Sequence, residues 1–223
     1  MSTLDDLVNA ATTHHGTHRG FSQSHPNVKR LRSVPGMFTN DKEGKSDSDQ
    51  LYVGGMCHTM SMYWIAHQAN GGGKSFWDWL KPTGNFDEAA INVLVTKTVM
   101  YKSGGGQAKQ GIRRGNDFDE SFFLRWGLKR ADTRKEGYGQ IVRNMCSSST
   151  IYYMLGHERE GGGHECALHA KGFYGGAIYY DPNYGDFEFN DYMDAMSWYY
   201  EYLRITDYQN KYPKVTVDGF RHA

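Results

Sequence analysis

Read only for hydrophobic and polar positions, the chain changes period part-way along. Leu4, Leu7, Val8 and Ala11 fall on one side of a short helix over residues 3 to 13. Thr13 to Gln50 is polar and almost without periodicity, and it reads as an extended or partly disordered arm. From Cys57 to about Asn70 helical spacing returns with Met60, Tyr63, Trp64 and Ala66, and Gly71-Gly72-Gly73 stops it. Ser75 to Leu80 reads as a short aromatic helix. Phe86 to Lys102 reads as a longer one, with Ala89, Val93, Val99 and Met100 on or near one face before Ser103-Gly104-Gly105-Gly106 closes it. Asp117 to Lys129 and Gly139 to Cys146 are further helical stretches, separated by a charged turn from Arg130 to Glu136. Thereafter the pattern is that of strands and turns: Thr150–Leu155, His164–Ala170, Ala177–Tyr180 and Asp186–Phe189, with Pro182-Asn183 and Gly185 as turn residues. A helix from about Asp191 to Leu203 and a last β-like piece from Lys214 to Phe220 end the chain. Helices first and strands later define an α+β class, with an N-terminal helical half and a C-terminal antiparallel sheet half. The expected organisation is an arm over residues 1–45, partly disordered, and one domain over 46–223, with no internal repeat.

Composition narrows the partners. The 223 residues are enough to bury a sizeable core. Lys plus Arg and Asp plus Glu stand at 25 each, so no excess charge points to nucleic acid or an acidic membrane surface. Glycine at 27 and aromatics at 14 % suit a loop-rich globular enzyme better than a bundle or a disordered chain. The cysteines, Cys57, Cys146 and Cys166, are odd in number and lack a Cys-x-x-Cys spacing, which argues for free thiols in a reducing compartment. No stretch of about 18 apolar residues is present, and Met1-Ser2-Thr3-Leu4-Asp5-Asp6 is neither basic nor apolar, so neither a membrane span nor a cleaved signal is expected. Export by a route that reads no cleaved signal stays open.

Two motifs are set aside. Gly73-Lys74-Ser75 is like the end of a phosphate-binding loop, but Gln68 stands where its first glycine is needed and a helix precedes it instead of a strand. His14, His15, His18 and His25 lack carboxylate or cysteine companions at ligand spacing, so a solvated loop is expected there and no metal.

The chemistry concentrates on Cys57. A thiol at a helix N-terminus meets the positive end of the peptide dipoles, and the free N–H groups of that turn can receive an oxyanion. A lone cysteine so placed is as readily a buried core residue. What changes the reading is His164, opening one strand, and Asp181, ending the next, since the start of one antiparallel strand lies beside the end of its neighbour. Cys57 as nucleophile, His164 as base and acid and Asp181 as orienter make a triad with no cofactor. The glycines before His164 are expected to let a substrate approach the backbone. His58 points away along its helix, and His169 has the opposite strand parity to His164. Cys166 shares the His164 face, which leaves a Cys/His metal site as a weak alternative.

Gly55-Met56-Cys57-His58-Thr59-Met60-Ser61-Met62-Tyr63-Trp64-Ile65, Gly163-His164-Glu165-Cys166-Ala167-Leu168 and Tyr179-Tyr180-Asp181-Pro182-Asn183-Tyr184-Gly185 together resemble the YopT/AvrPphB family of papain-like cysteine proteases. The order Cys, His, Asp, the short interval from His to Asp and the Asp-Pro-Asn-aromatic-Gly ending carry the resemblance, which spans Gly54 to Phe189. It implies a papain-like α+β fold and a thiol protease delivered as a bacterial effector or toxin, secreted without a cleavable signal. Its partners would be a protein substrate in the cytoplasm of a target cell and a protective immunity protein or chaperone. Papain-like enzymes complete the oxyanion hole with a Gln or Asn side chain upstream of the cysteine, and here Gln50 is the candidate. A glutamine deamidase or transglutaminase toxin would use the same three residues, and a non-catalytic binding module would keep only the fold.

Overall fold

Alternation along the strands divides the chain into two apolar layers with a sheet between them. The computed structural model describes residues 2–22, 56–105, 113–131, 135–146, 149–160, 162–172 and 174–223. In chain order the elements are α1 (Thr3–Thr13), β1 (Thr17–Gly20), α2 (Cys57–Gly71), α3 (Gly73–Leu80), α4 (Glu88–Gly105), α5 (Arg113–Arg125), β2 (Leu128–Arg130), β3 (Lys135–Glu136), α6 (Tyr138–Met145), β4 (Thr150–Arg159), β5 (Gly162–Lys171), β6 (Ala177–Asp181), β7 (Gly185–Phe189), α7 (Tyr192–Thr206), α8 (Tyr208–Lys211) and β8 (Lys214–His222). The strands form one sheet in the order β1-β7-β6-β5-β4-β8-β2, with β3 also on β8, and the pairs are antiparallel. Among the described residues no helix is long and apolar enough to cross a membrane.

On one face, Tyr152, Met154, Ala167, Ile178 and Tyr180 meet α2, α3, α4 and α5. On the other, Tyr153, Leu155, Leu168, Tyr179 and Phe187 meet α1, α6, α7 and α8. Helix α2 is the centre of the first layer. From Thr59 to Ala66 every residue is buried, so its apolar pattern runs all round and no single stripe marks it. Trp64 lies flat on Tyr180 of β6, with ring centres 5.2 Å apart and planes 4° apart. Such a stack adds about 1 kcal/mol beyond the area it buries. Beneath it the carboxylate of Asp186, on β7, accepts from the indoles of Trp64 (3.4 Å) and Trp77 (2.7 Å) and faces Arg19 Nε at 3.3 Å. One buried acid thus ties α2, α3, β1 and β7 together.

The α+β architecture is as the residue pattern implies, and the elements depart from it in identifiable places. Residues 17–20, read as part of an irregular arm, form β1 on the free edge of β7. Residues 2–22 are therefore built onto the sheet, with Leu7, Ala10 and Ala11 of α1 buried against α7. The division at residue 45 lies outside the described residues. Helix α4 turns a different face inward from the one its spacing suggests. Ala90, Ile91, Leu94, Val95 and Thr98 are buried, whereas Val93 is 39 % and Met100 49 % exposed. The stretch from Asp117 to Lys129 does not stay helical; α5 ends at Arg125, Gly127 takes a positive φ of 73°, and β2 begins at Leu128. The charged turn after it contains β3, paired to β8.

Two glycines have assigned reasons. Gly185 turns β6 into β7 at φ 103°, and a Cβ there would stand 1.9 Å from the carbonyl oxygen of Arg19 in β1. At Gly163 a Cβ would lie 2.8 Å from the carbonyl oxygen of His157. The glycine before His164 therefore serves the approach of β5 to β4, where the sequence suggested room for a substrate.

The inward face of α4 gives a direct test. Leu94→Ala is expected to lower stability by about 2–4 kcal/mol, because it opens a cavity beside α2, while Val93→Ala shifts it by about 0.5 kcal/mol or less. Denaturant midpoints of the two variants measure the difference.

Candidate active site

Cys57 is the first residue of α2, preceded by Met56 with no side-chain cap on the helix start. The N-cap side chain thus takes none of the first-turn N–H groups, as an anion-receiving helix end requires. His164 sits on β5 and belongs by parity with Cys166 and Leu168, on the face of α7. Helix α2 lies on the opposite face. Register explains how the two meet. Ala167 pairs with Tyr180 across β5 and β6, and continuing that register sets Asp181, the last residue of β6, opposite Cys166. Residues 162 to 165 of β5 overhang the end of β6, and the start of α2 occupies that open edge. There Ser61 Oγ donates to the carbonyl oxygen of Glu165 at 3.2 Å, and the amide of Glu165 donates to the Cys57 sulfur. Both backbone groups of one strand residue are taken by residues one helical turn apart.

His164 is 5 % exposed, and its Nε2 is 2.8 Å from Asp181 Oδ1. That leaves Nδ1 for the sulfur. Burial works against a thiolate at Cys57, but the hydrogen bond and positive charge of His164, with the Glu165 amide, outweigh it and lower the thiol pKa. Burial also works against an imidazolium at His164, and Asp181 overrides it, holding the ring well above its usual range. The two shifts favour the same state: thiolate beside imidazolium. Asp181 is fully buried, yet its pKa is lowered, since His164, Tyr202 and the Asn183 amide more than offset the burial. The Asn183 amide bond, at 2.7 Å, is the local turn that Asp-x-Asn readily forms.

The other candidates divide around this centre. His58 gives Nε2 to Asp119 at 2.8 Å and lies flat on Tyr101, so it is engaged away from the sulfur. His169 packs against the tilted ring of Tyr152, centroids 4.5 Å apart, on the opposite face from His164. His18 bonds the carbonyl of Tyr184 at 2.8 Å and His14 bonds Glu201 at 3.1 Å; they share no site, and His25 lies outside the described residues. Gln50, Gly54 and Gly55 also lie outside them. Cys146 is held as a thiol by burial. Cys166 is pushed up to about 12 by burial.

Donor atoms of His164, Cys166 and Asp181 fall within 4.8 Å of one another, the spacing of a metal site. The set does not fit one. Asp181 already accepts four hydrogen bonds, one of them from the His164 ring, so neither of those two residues has its donor atom to spare. Sequence reasoning missed Ser61 as an edge donor, His157 behind the imidazole, and the hydroxyls of Tyr202 and Tyr208 on Asp181. Of these only Ser61 carried a local signal, its helical step from Cys57.

A central helix that begins with a cysteine and faces an antiparallel sheet carrying histidine and aspartate defines a papain-like fold. The chain is similar to the crystal structure of the Pseudomonas avirulence protein AvrPphB, with a TM-score of 0.53 and 13 % identity over 74 % of this chain and 91 % of that one. At that identity the likeness is one of fold. No protein-family model and no curated protein matches the sequence.

The electrostatics predict selective reactivity. Near neutral pH iodoacetamide is expected to alkylate Cys57 on the order of tenfold or more faster than Cys146 or Cys166. Because the Cys57 pKa is lowered, its reactivity should persist below the usual thiol range, and His164→Ala should move that midpoint upward and slow the neutral reaction. Peptide mapping of the labelled thiols over a pH series measures both, and equal labelling of all three contradicts the assignment.

Proposed function

We propose that this chain is a thiol peptidase of the effector type, acting on proteins in the cytoplasm of a target cell. The observation that carries the reading is the Cys57–His164–Asp181 arrangement: a thiol at a helix start, its pKa lowered by an imidazole that a buried carboxylate holds at 2.8 Å. In the proposed cycle the Cys57 thiolate adds to the scissile carbonyl carbon, and the oxyanion is received by first-turn backbone N–H groups, with Gln50 as the side-chain donor. The imidazolium of His164 gives its proton to the leaving amine as the C–N bond breaks, leaving an acyl thioester. His164 then takes a proton from water, whose oxygen attacks the thioester, and the thiolate departs with a carboxylic acid as product. Asp181 keeps the ring in one orientation throughout. An effector of this kind would travel with a chaperone or, if aimed at bacteria, with an immunity protein.

Incubating wild type and Cys57→Ala with target-cell lysate, then sequencing new N-termini, tests this. New termini with wild type alone are expected. A mass gain matching conversion of a glutamine amide to an acid, with no cut chain, would instead mark a deamidase using the same thioester. Asp181→Asn should fold and retain part of the turnover, with a loss on the order of tenfold to a hundredfold from ring misplacement. Expression of wild type in target cells should arrest growth, and Cys57→Ala should be harmless; equal toxicity of the two would make the chain a binding module.

A further inference from the structure

Asp181 Oδ2 accepts from the hydroxyl of Tyr202 at 2.5 Å and from that of Tyr208 at 3.0 Å. Its Oδ1 accepts from His164 Nε2 and the Asn183 amide. An ionised carboxylate has about four acceptor positions and no donor. Here all of them face donors, so a proton on Asp181 would meet groups that already present one. Tyr208 cannot reverse its bond easily, because Asn183 Nδ2 donates to its oxygen at 3.3 Å and leaves its single proton for Asp181. On an unbroken helix residues six apart point about 120° away from each other. Asp207 interrupts the helix in the left-handed conformation, φ 58° and ψ 30°, separating α7 from α8 and returning Tyr208 to the oxygen that Tyr202 already serves.

We infer that Tyr202 and Tyr208 are positioning residues of the site: by donating together to Asp181 Oδ2 they keep that carboxylate ionised and its other oxygen aimed at His164. The inference rests on the proposed triad: both hydroxyls donate to Asp181 and not to the His164 ring, against which Tyr208 packs edge-on. The titratable groups around the pair are His164 and Cys166 from β5, His157 from β4, Tyr179 from β6, Tyr138 from α6, Tyr199 from α7 and Tyr212 after α8. His157, 6.4 Å from the His164 ring and bonded to Tyr138 at 3.3 Å, is driven by burial down to about 3, and Cys166 is driven up to about 12. Burial likewise raises Tyr202 and Tyr208. His157, Cys166 and the two tyrosines therefore keep one charge state near neutral pH, so the hydroxyls act as fixed donors and Asp181, His164 and Cys57 are left to titrate.

The test uses the full chain with Tyr202→Phe and Tyr208→Phe, singly and together, in the wild-type and Asp181→Asn backgrounds. Carboxyl carbon NMR, with the Asp181 signal assigned by its loss in Asp181→Asn, follows the titration of that group. Removing a donor to the anion should raise the proton affinity of Asp181 roughly tenfold per hydroxyl. Cys57 alkylation at neutral pH should slow severalfold in each phenylalanine variant, and not slow further where Asp181→Asn is already present. An unchanged Asp181 titration, or slowing of equal size in both backgrounds, overturns the inference while leaving the triad standing. If Cys57 of the wild type is no more reactive than the other thiols, the triad fails and the inference with it. Should the double variant not fold, the single ones, each keeping its ring in the core, decide by the same readouts.

Discussion

A carboxylate with no exposed surface is the constraint on which the rest of this site depends. Taking an ion of that size out of water costs several kcal/mol unless partners replace the solvent. Asp181 finds them in His164 from β5, the Asn183 amide from its own turn, Tyr202 from α7 and Tyr208 from α8. Four separate pieces of chain have to be in place together, because a missing donor leaves buried charge uncompensated. The layer that carries α7 is thus more than a cover for the sheet: it supplies half of the donors to the acid.

The second constraint is geometric. A strand shows alternate residues to opposite faces, so His164 and the helix bearing Cys57 begin on different sides of the sheet. They meet because β5 overhangs β6, which ends at Asp181. Where a neighbour is missing, a strand edge offers unpaired N–H and C=O groups. Glu165 gives both of its own to α2, one to the Cys57 sulfur and one to Ser61. The same overhang therefore satisfies the strand edge and brings thiol to imidazole.

How much of this was legible follows from the range of the interactions. Cys57 at a helix start after glycines, His164 at the beginning of a strand and Asp181 before Pro-Asn are local patterns, and the chain has those elements where the residues imply them. The inward face of α4 was not legible. Ala89, Val93, Val99 and Met100 are as apolar as Ala90, Ile91, Leu94 and Val95, and only packing against α2 selects between them. Strand β1 carries Thr17-His18-Arg19-Gly20, too polar for a strand signal, and takes its form from pairing with β7 and from Arg19 against Asp186. Tyr202 and Tyr208 were hidden for a different reason. Among 16 tyrosines nothing local marks the two whose hydroxyls converge, since the convergence is made by a left-handed residue between two helices.

The same division of labour explains a shared fold at 13 % identity to AvrPphB. Most positions in the two layers need only be apolar and of suitable volume, a demand many residues meet. Trp64 on Tyr180 is one solution to filling the space between α2 and β6, and other pairs of similar bulk would serve. The acid and the overhang are less forgiving. Replacing Tyr202 by a residue of equal volume without the hydroxyl preserves the packing and removes a donor, so a substitution that is neutral for the fold is not neutral for the charge it supports. Fold likeness therefore constrains the layers, whereas the chemistry proposed here has to be argued from Asp181 and the groups that touch it.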